Sequence, residues 1–233
     1  MIKSKRFALV FRLCAAIFAA IGLLKQIGVF DRKVILGSFM FYTTLSNLLA
    51  VILFAFLSIQ TLKSLRNDSC GTPGRYTRFG MVCAVDLLVT FVVFWVLLVP
   101  EVPASYLWTF DNIAVHTVTP LLCLVDYILF SEAGRLKYRD VYYVCIFPLV
   151  YVIFTTLAGI AGYVYSFSGT FGNTPSGAEE IAPVRFPYFF IDFDRIGFMV
   201  FIYIVVILVF ILMLSHVVYF VDCRFRSKTP VSH

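Results

Sequence analysis

The segment "FYTTLSNLL", residues 41–49, places hydroxyl and amide side chains inside an otherwise apolar run. Thr43 and Asn47 are four residues apart and Ser46 lies between them, so a helix would carry all three on one face. A threonine hydroxyl becomes an effective nucleophile when a neighbouring base accepts its proton. The chemistry of this segment therefore depends on whether a base lies beside it.

The stretch "HTVTPLLCLVDYILF", residues 116–130, supplies such a base in a second apolar run. Neutral histidine accepts protons at physiological pH. Pro120 lacks the amide that would bond the carbonyl of His116, so we expect a kink or a free carbonyl next to the histidine. The sequence therefore predicts a local opening of this helix at His116.

Thr43 and His116 are predicted to lie at a similar depth, each about seven residues or roughly 10 Å into its apolar run from the same side. If the two helices are neighbours, His116 can take the proton of Thr43, whose oxygen can then attack a lipid ester. A second interpretation is that Thr43, Ser46 and Asn47 form interhelical hydrogen bonds and that His116 is a satisfied residue of the bundle. Spacing alone leaves both interpretations open.

Four nearby side chains are candidates for assisting this pair. Ser46, Asn47 and Asn112 carry donors that could bind the oxyanion of a tetrahedral intermediate, and Asp111 could orient the histidine. The sequence has no cysteine and histidine spacing typical of a metal site, so no metal and no cofactor is expected.

Three ionisable residues form a second set of candidates. Arg12, Asp86 and Asp126 lie in apolar runs, within about two helical turns of the side opposite to Thr43. Intramembrane charges are costly, so an arginine with one or two carboxylates is most simply a neutralising ion pair that fixes helix packing. The alternative is a proton or ion relay of the kind that a small transporter needs.

The composition indicates that these residues belong to an integral membrane protein. Hydrophobic residues make up 61% of the 233 residues and charged residues 14%, with a mean hydropathy of +0.93. A span needs about 20 apolar residues, so the chain can hold about six helices in one domain, residues 1–233. The runs are too long and continuous for barrel strands. The predicted fold is all-α, a bundle of six transmembrane helices near residues 7–29, 36–60, 79–100, 110–131, 141–163 and 197–221.

Lysine and arginine cluster on one side of the predicted bundle. Lys5 and Arg6 precede the first run, Arg135 and Lys137 fall in the fourth loop, and further basic residues follow the second and sixth runs. By the positive-inside rule both termini are cytoplasmic. The net charge of +6 is therefore a topology signal, and nucleic-acid binding is not expected.

The longest connection is the outer loop, residues 164–196. Its first part, residues 169–183, is rich in Gly, Pro, Ser and Thr and is expected to be mobile. Its second part contains "FPYFFID", which is aromatic and is predicted to lie in the membrane interface as a lid or belt. The other connections are short, as expected of antiparallel neighbours in a compact bundle.

Three segments, "FYTTLSNLL", "HTVTPLLCLVDYILF" and "FPYFFIDFDRIGF", resemble a family of bacterial predicted six-transmembrane proteins. That family is in turn similar to the eukaryotic androgen-induced (ADTRP) family of intramembrane threonine hydrolases, which cleave fatty acid esters of hydroxy fatty acids. The resemblance implies the six-helix fold, a bacterial cytoplasmic membrane location, and catalysis by Thr43 and His116. Thr44 is the alternative nucleophile if the match is displaced by one residue.

The sequence thus favours an intramembrane lipid ester hydrolase whose pocket opens to the outer leaflet, with a membrane lipid or fatty acid ester as its substrate. The leading alternative is a non-catalytic lipid-binding protein or a small transporter that uses Arg12, Asp86 and Asp126. The two differ in a testable way, because transport would need Asp86 whereas hydrolysis would need Thr43 and His116.

Overall fold

The computed structural model describes residues 4–32, 34–66, 76–167 and 183–226. Within them the chain forms six helices long and apolar enough to cross a membrane, which confirms the predicted all-α, six-helix fold. The predicted mobile segment, residues 169–183, lies outside the described residues except for its last residue. The helices are α1 Lys5–Gln26, α2 Tyr42–Arg66, α3 Thr77–Glu101, α4 Phe110–Phe130, α5 Tyr138–Ile160 and α6 Met199–Arg226.

Successive helices run antiparallel, so the bundle has two ends. The terminal end contains the start of α1 and the end of α2, where Lys5 Nζ donates a hydrogen bond to the Ser64 carbonyl oxygen at 3.2 Å. The loop end contains the connections after α1, α3 and α5. There Arg195, just before α6, pairs with Glu101 at the end of α3.

Shorter elements connect the helices at the loop end. They leave little chain without regular structure between the described helices, which suits a compact bundle. They are the 3-10 turns Leu36–Met40 and Phe189–Ile191, the short helices Ala104–Leu107 and Phe193–Ile196, and the antiparallel pair of β1, Ser166–Phe167, with β2, Pro183–Val184.

The start of α2 differs from its prediction. Gly37 and Ser38 are poor helix formers, so Leu36–Met40 forms a 3-10 turn and Phe41 is extended, with φ −95° and ψ 139°. The predicted span of residues 36–60 is therefore Tyr42–Arg66. As a result Thr43 lies in the first turn of α2, where amide groups have no acceptor in a preceding turn.

Two helix pairs form most of the bundle. α1 packs along α2 and α3 packs along α4, with an apolar core that includes Ala15, Phe54 and Leu87. α6 packs closely against Tyr138–Cys145, the first part of α5, but makes few close contacts with Ile146–Ile160, the rest of α5. The two helices therefore diverge toward the loop end.

The outward-facing surface of the bundle is as apolar as its core. Ile17, Ile153 and Val206 are each about 60% exposed, and many other large apolar side chains point away from the protein. A soluble protein rarely exposes so much continuous apolar surface, whereas lipid chains match it. The fold is therefore that of a multi-pass membrane protein.

Candidate active site

Thr43 and His116 are in contact near the loop end of the bundle. The Thr43 Oγ1 atom lies 3.2 Å from the His116 Nε2 atom, and both side chains are buried. Thr43 lies in the first turn of α2 and His116 in the second turn of α4. The structure therefore brings together the two residues that the sequence predicted to pair.

The hydrogen bonds of His116 define its tautomer. Its Nδ1 atom lies 3.1 Å from the backbone carbonyl oxygen of Asn112, and a carbonyl only accepts hydrogen bonds. Nδ1 therefore carries the proton, and in the neutral ring Nε2 has a free lone pair. Because that lone pair faces Thr43 Oγ1, Thr43 donates the hydrogen bond and His116 accepts it.

The imidazole ring is held between a distorted turn of α4 and a phenylalanine of α3. Residues Ala114–Val118 form a π-helical turn, because Pro120 has no amide to bond the His116 carbonyl. Phe94 stacks on the imidazole with ring centroids 3.8 Å apart and an angle of 18° between the planes. A second π turn, Phe94–Leu98, distorts α3 at the same level. The expected opening of α4 thus takes the form of a π turn that positions the histidine.

Thr44, the alternative nucleophile, has no base beside it. Its side chain is fully buried, and its hydroxyl has no hydrogen-bond partner in the described part of the chain. Successive helical side chains point about 100° apart, so Thr44 faces another direction when Thr43 faces His116. The geometry therefore favours Thr43.

Ser46 and Asn47 tie α2 to its neighbours. Asn47 Nδ2 donates to the carbonyl oxygens of Thr43, at 2.8 Å, and Val115, at 2.9 Å. Ser46 Oγ lies 3.1 Å from the Thr43 carbonyl oxygen and 3.1 Å from the Thr90 hydroxyl. Both predicted oxyanion donors are thus engaged with protein atoms, and they fix α2 against α3 and α4.

Asn112 and Asp111 also lie apart from the reacting atoms. Asn112 Nδ2 donates to the Leu107 carbonyl oxygen at 2.7 Å, and it is the Asn112 backbone carbonyl that orients His116. Asp111 faces Tyr106, and burial together with this carboxylate raises the pKa of Tyr106. The orienting role predicted for Asp111 therefore belongs to the backbone of the next residue.

An apolar pocket adjoins Thr43. It lies between α2, α3, α5, α6 and residues 188–191, where about 680 Å³ of space, including space open to the surroundings, is free of protein atoms. No charged side chain is among the described residues that line it. Leu149 on α5 is 39% exposed and lines the pocket where α5 diverges from α6. The pocket is therefore open toward the side of the bundle.

Residues 183–196, here called the lid, cover the pocket at the loop end. Phe190 and Ile191 are buried against a group of residues that includes Tyr151 of α5. Tyr188 lines the pocket beside Thr43. An ion pair within the lid, from Arg185 Nε to Asp194 Oδ2 at 2.8 Å, braces its ends. The "FPYFFID" segment is thus part of a folded cover over the pocket.

Arg12 and Asp126 form a second buried polar group, in the half of the bundle nearer the terminal end. Arg12 Nε donates to Asp126 Oδ1 at 2.7 Å, and Nη2 donates to Oδ2 at 3.3 Å. Arg12 Nη1 also donates to the Thr61 hydroxyl at 2.7 Å, and the guanidinium carbon lies 5.5 Å from the centre of the Phe130 ring. The arginine thus joins α1, α2 and α4.

Asp86 lies outside this ion pair, although the sequence grouped it with Arg12 and Asp126. Its side chain is fully buried, and neither carboxylate oxygen has a hydrogen-bond partner among the described residues. The hydroxyl of Tyr42 faces the carboxylate without completing a hydrogen bond. Asp86 therefore lies beside Tyr42, a residue that lines the pocket.

Thr90, Phe94 and Tyr188 belong to the site, but the sequence analysis did not single them out. Thr90 and Phe94 lie in an apolar run of α3 in which little distinguishes one residue from another. The sequence does contain one indication that Thr90 matters: it follows the intramembrane Asp86 by four residues, so the two share a helical face. Tyr188 belongs to the predicted lid, but its place beside Thr43 depends on how the lid folds back over α2.

Comparison of the chain with protein-family models, curated proteins and solved structures gave no match. The contact between Thr43 and His116 and the pocket that Thr43 lines are therefore the features that bear on function. The resemblance of "FYTTLSNLL" and "HTVTPLLCLVDYILF" to a hydrolase family remains an expectation of the sequence.

Proposed function

We propose that this protein is an intramembrane hydrolase of lipid esters, with Thr43 as nucleophile and His116 as general base. One observation carries the proposal: the hydroxyl of Thr43, which lines an apolar pocket, donates to the free lone pair of the buried His116. A nucleophile, its base and a group that orients the base are the parts that covalent ester hydrolysis requires. Here the orienting group is the Asn112 carbonyl.

The reaction follows from the direction of these hydrogen bonds. As Thr43 Oγ1 bonds to the ester carbonyl carbon, its proton passes to His116 Nε2. The tetrahedral intermediate then expels the alkoxide, which takes that proton and leaves as an alcohol, and an acyl-threonine remains. Water next gives a proton to Nε2 and adds to the acyl carbon. The Thr43 oxygen leaves with the proton, and the fatty acid is released.

The position of Thr43 in the first turn of α2 suits this chemistry. The start of a helix carries unpaired amides and a partial positive charge, which stabilise a negative charge that develops nearby. Thr43 also lies near the loop end, so water has a short path to the acyl-threonine. Hydrolysis needs such a path, and a site at the bilayer centre would lack it.

The pocket points to an uncharged, chain-bearing substrate. Its walls are apolar apart from hydroxyl groups, so an acyl chain fits them better than a charged headgroup does. The divergence of α5 and α6 gives such a chain a lateral entrance from the membrane. A membrane lipid or a fatty acid ester could therefore reach Thr43 without leaving the bilayer.

The orientation in the membrane is part of the proposal. Lys5, Arg135 and Lys137 lie at the terminal end, which the positive-inside rule assigns to the cytoplasm. The pocket then opens to the outer leaflet of a bacterial cytoplasmic membrane. Reporter fusions at each terminus, read as cytoplasmic or external, test this orientation.

A second candidate function, lipid binding or transport without hydrolysis, has one observation in its favour. Asp86 is a fully buried carboxyl group inside the bundle with no cation bound to it among the described residues. Intramembrane carboxyl groups of this kind often belong to proton or ion pathways. A transporter would lose its activity in Asp86→Asn, whereas the proposed hydrolase would keep it.

A fluorophosphonate probe tests the proposed nucleophile, because it reacts covalently with activated hydroxyl groups. Purified protein in detergent is labelled as wild type and as Thr43→Ala, His116→Ala and Thr44→Ala. We expect labelling of the wild type and of Thr44→Ala, and loss of labelling in the other two variants. Absence of labelling in a folded wild type would favour the lipid-binding or transport function.

A further inference from the structure

Five hydroxyl groups line the pocket, and three of them donate to partners among the described residues. The Thr43 hydroxyl donates to His116, as described above. The Thr90 hydroxyl lies 3.2 Å from the Asp86 carbonyl oxygen, to which it donates. The Tyr151 hydroxyl donates to the Met40 carbonyl oxygen at 3.0 Å. The Tyr42 hydroxyl is fully buried and faces the Asp86 carboxylate. The fifth hydroxyl, on Tyr188 of the lid, remains.

Tyr188 lines the pocket together with Thr43 and Tyr151, and its hydroxyl lies near both of them. Because the proton of each of these neighbours is already donated elsewhere, both of their oxygens can only accept. Tyr188 is therefore the donor wherever the three hydroxyls meet. Burial raises the pKa of Tyr188, so the phenol keeps its proton at physiological pH. Among the described hydroxyls of the pocket, those of Tyr42 and Tyr188 thus remain as donors; Tyr42 faces Asp86, whereas Tyr188 lies beside the nucleophile.

The aromatic ring of Tyr188 is held in place independently of its hydroxyl. It stacks on Phe190 with ring centroids 5.2 Å apart and 3° between the planes, and it meets the edge of Phe41 at 6.0 Å. Phe190, itself a residue of the lid, is buried. A phenylalanine at position 188 would keep these ring contacts and lose the donor alone.

We propose that Tyr188 donates a hydrogen bond to the carbonyl oxygen of the bound ester and stabilises the oxyanion that forms when Thr43 attacks. This role rests on the proposed function. The carbonyl oxygen of an ester that reaches Thr43 from the pocket replaces the Thr43 oxygen as the acceptor of the Tyr188 proton. Donors placed where negative charge develops are among the largest contributions to catalysis.

The placement of this donor makes the lid part of the reacting site. The lid is packed closely on α5, since a Cβ atom added at Gly159 would lie 2.6 Å from the Arg185 carbonyl oxygen. A small displacement of the lid would move the Tyr188 hydroxyl away from Thr43. Chemistry at Thr43 therefore requires the lid to be seated, and an open lid would leave the nucleophile without its oxyanion donor.

The rate of fluorophosphonate labelling tests this role, because the phosphonyl oxygen becomes negative as the carbonyl oxygen of an ester does. We expect Tyr188→Phe to be labelled on Thr43 about 100-fold more slowly than wild type. Tyr165→Phe is the matched control, since Tyr165 has a buried hydroxyl near the lid and does not line the pocket. Its labelling rate should stay within about twofold of wild type.

Steady-state hydrolysis of p-nitrophenyl decanoate separates an oxyanion donor from a structural residue. A donor used in the transition state lowers kcat and leaves KM nearly unchanged, so Tyr188→Phe should lower kcat about 100-fold. Equal labelling rates for Tyr188→Phe and wild type, or an equal loss in Tyr165→Phe, would overturn the proposal while leaving Thr43 as nucleophile. A wild type that is not labelled at all would overturn the proposed function as well.

Discussion

The contact between Thr43 and His116 differs from the ion pair between Arg12 and Asp126 in how completely the polar groups are satisfied. Arg12 bonds both oxygens of one carboxylate and also the Thr61 hydroxyl. Thr43 and His116 share a single hydrogen bond, and Thr43 lines a pocket. Saturated buried charges hold helices together, whereas a nucleophile that is bonded to a base and lines a pocket can react.

The same contrast separates the two described histidines of the chain. His216 Nδ1 lies 2.7 Å from the Leu212 carbonyl oxygen, which repeats the arrangement of His116 and the carbonyl four residues before it. His216 is packed among aromatic rings, and no hydroxyl bonds its Nε2 atom in the described part of the chain. The tautomer alone therefore does not make a histidine a catalytic base. His116 differs from His216 in having the hydroxyl of Thr43 at its Nε2 atom.

The largest expected effect is the loss of ester hydrolysis in Thr43→Ala and in His116→Ala. Removal of the nucleophile or its base should lower the rate of p-nitrophenyl decanoate hydrolysis by about 10³-fold or more. His216→Phe is the control and should retain the wild-type rate. Equal hydrolysis rates in His116→Ala and His216→Phe would show that the two histidines do not differ in their role in hydrolysis.

The next largest effect is on stability and concerns the ion pair. Asp126→Asn should lower the free energy of unfolding by about 3–5 kcal/mol, because it leaves Arg12 charged and buried without its carboxylate. The double variant Arg12→Met with Asp126→Leu should recover most of that loss. Denaturant unfolding in detergent measures both. A double variant that is folded but inactive would show that the pair serves the reaction.

A smaller effect is expected at Pro120, which links helix geometry to the site. Pro120→Ala supplies the missing amide, so the π turn Ala114–Val118 can return to an α turn and shift His116 away from Thr43. We expect fluorophosphonate labelling to slow by about tenfold to 100-fold while the melting temperature stays the same or rises. An unchanged labelling rate would show that the π turn does not position the histidine.

The smallest effect is expected at Asp86. Asp86→Asn keeps the shape of the side chain and cannot place an unpaired charge in the bundle, so stability should be unchanged or higher. Hydrolysis should stay within about twofold of wild type. If Asp86→Asn abolished hydrolysis in a folded protein, Asp86 would belong to the reacting site. The reacting site would then include a charged residue, contrary to the contrast with the ion pair between Arg12 and Asp126.

The sequence predicts the architecture better than the details of the site, for a physical reason. Six apolar runs of membrane length predict six helices, because hydropathy and span length are local properties. Hydropathy could not predict the first residue of α2, because an apolar run does not reveal the turn at Leu36–Met40. The depth argument brought Thr43 and His116 to one level, and helix packing then decided that they meet.

The helper residues show where sequence reasoning stops. Asn47 carries the donors that an oxyanion would need, yet its Nδ2 bonds the carbonyls of Thr43 and Val115, the second of which the π turn of α4 presents to α2. Tyr188 is distant from Thr43 in the chain, and its approach depends on the folding of the lid. Such pairings arise from tertiary packing, which spacing along one helix does not report.

The most direct test of the central claim is to identify the atom that a fluorophosphonate probe modifies. Wild-type protein is labelled in detergent and digested, and the modified peptide is sequenced by mass spectrometry. We expect a single adduct on Thr43 that disappears in His116→Ala and persists in His216→Phe. An adduct on Thr44 or on any other residue, or an adduct on Thr43 that forms equally fast without His116, would contradict the central claim.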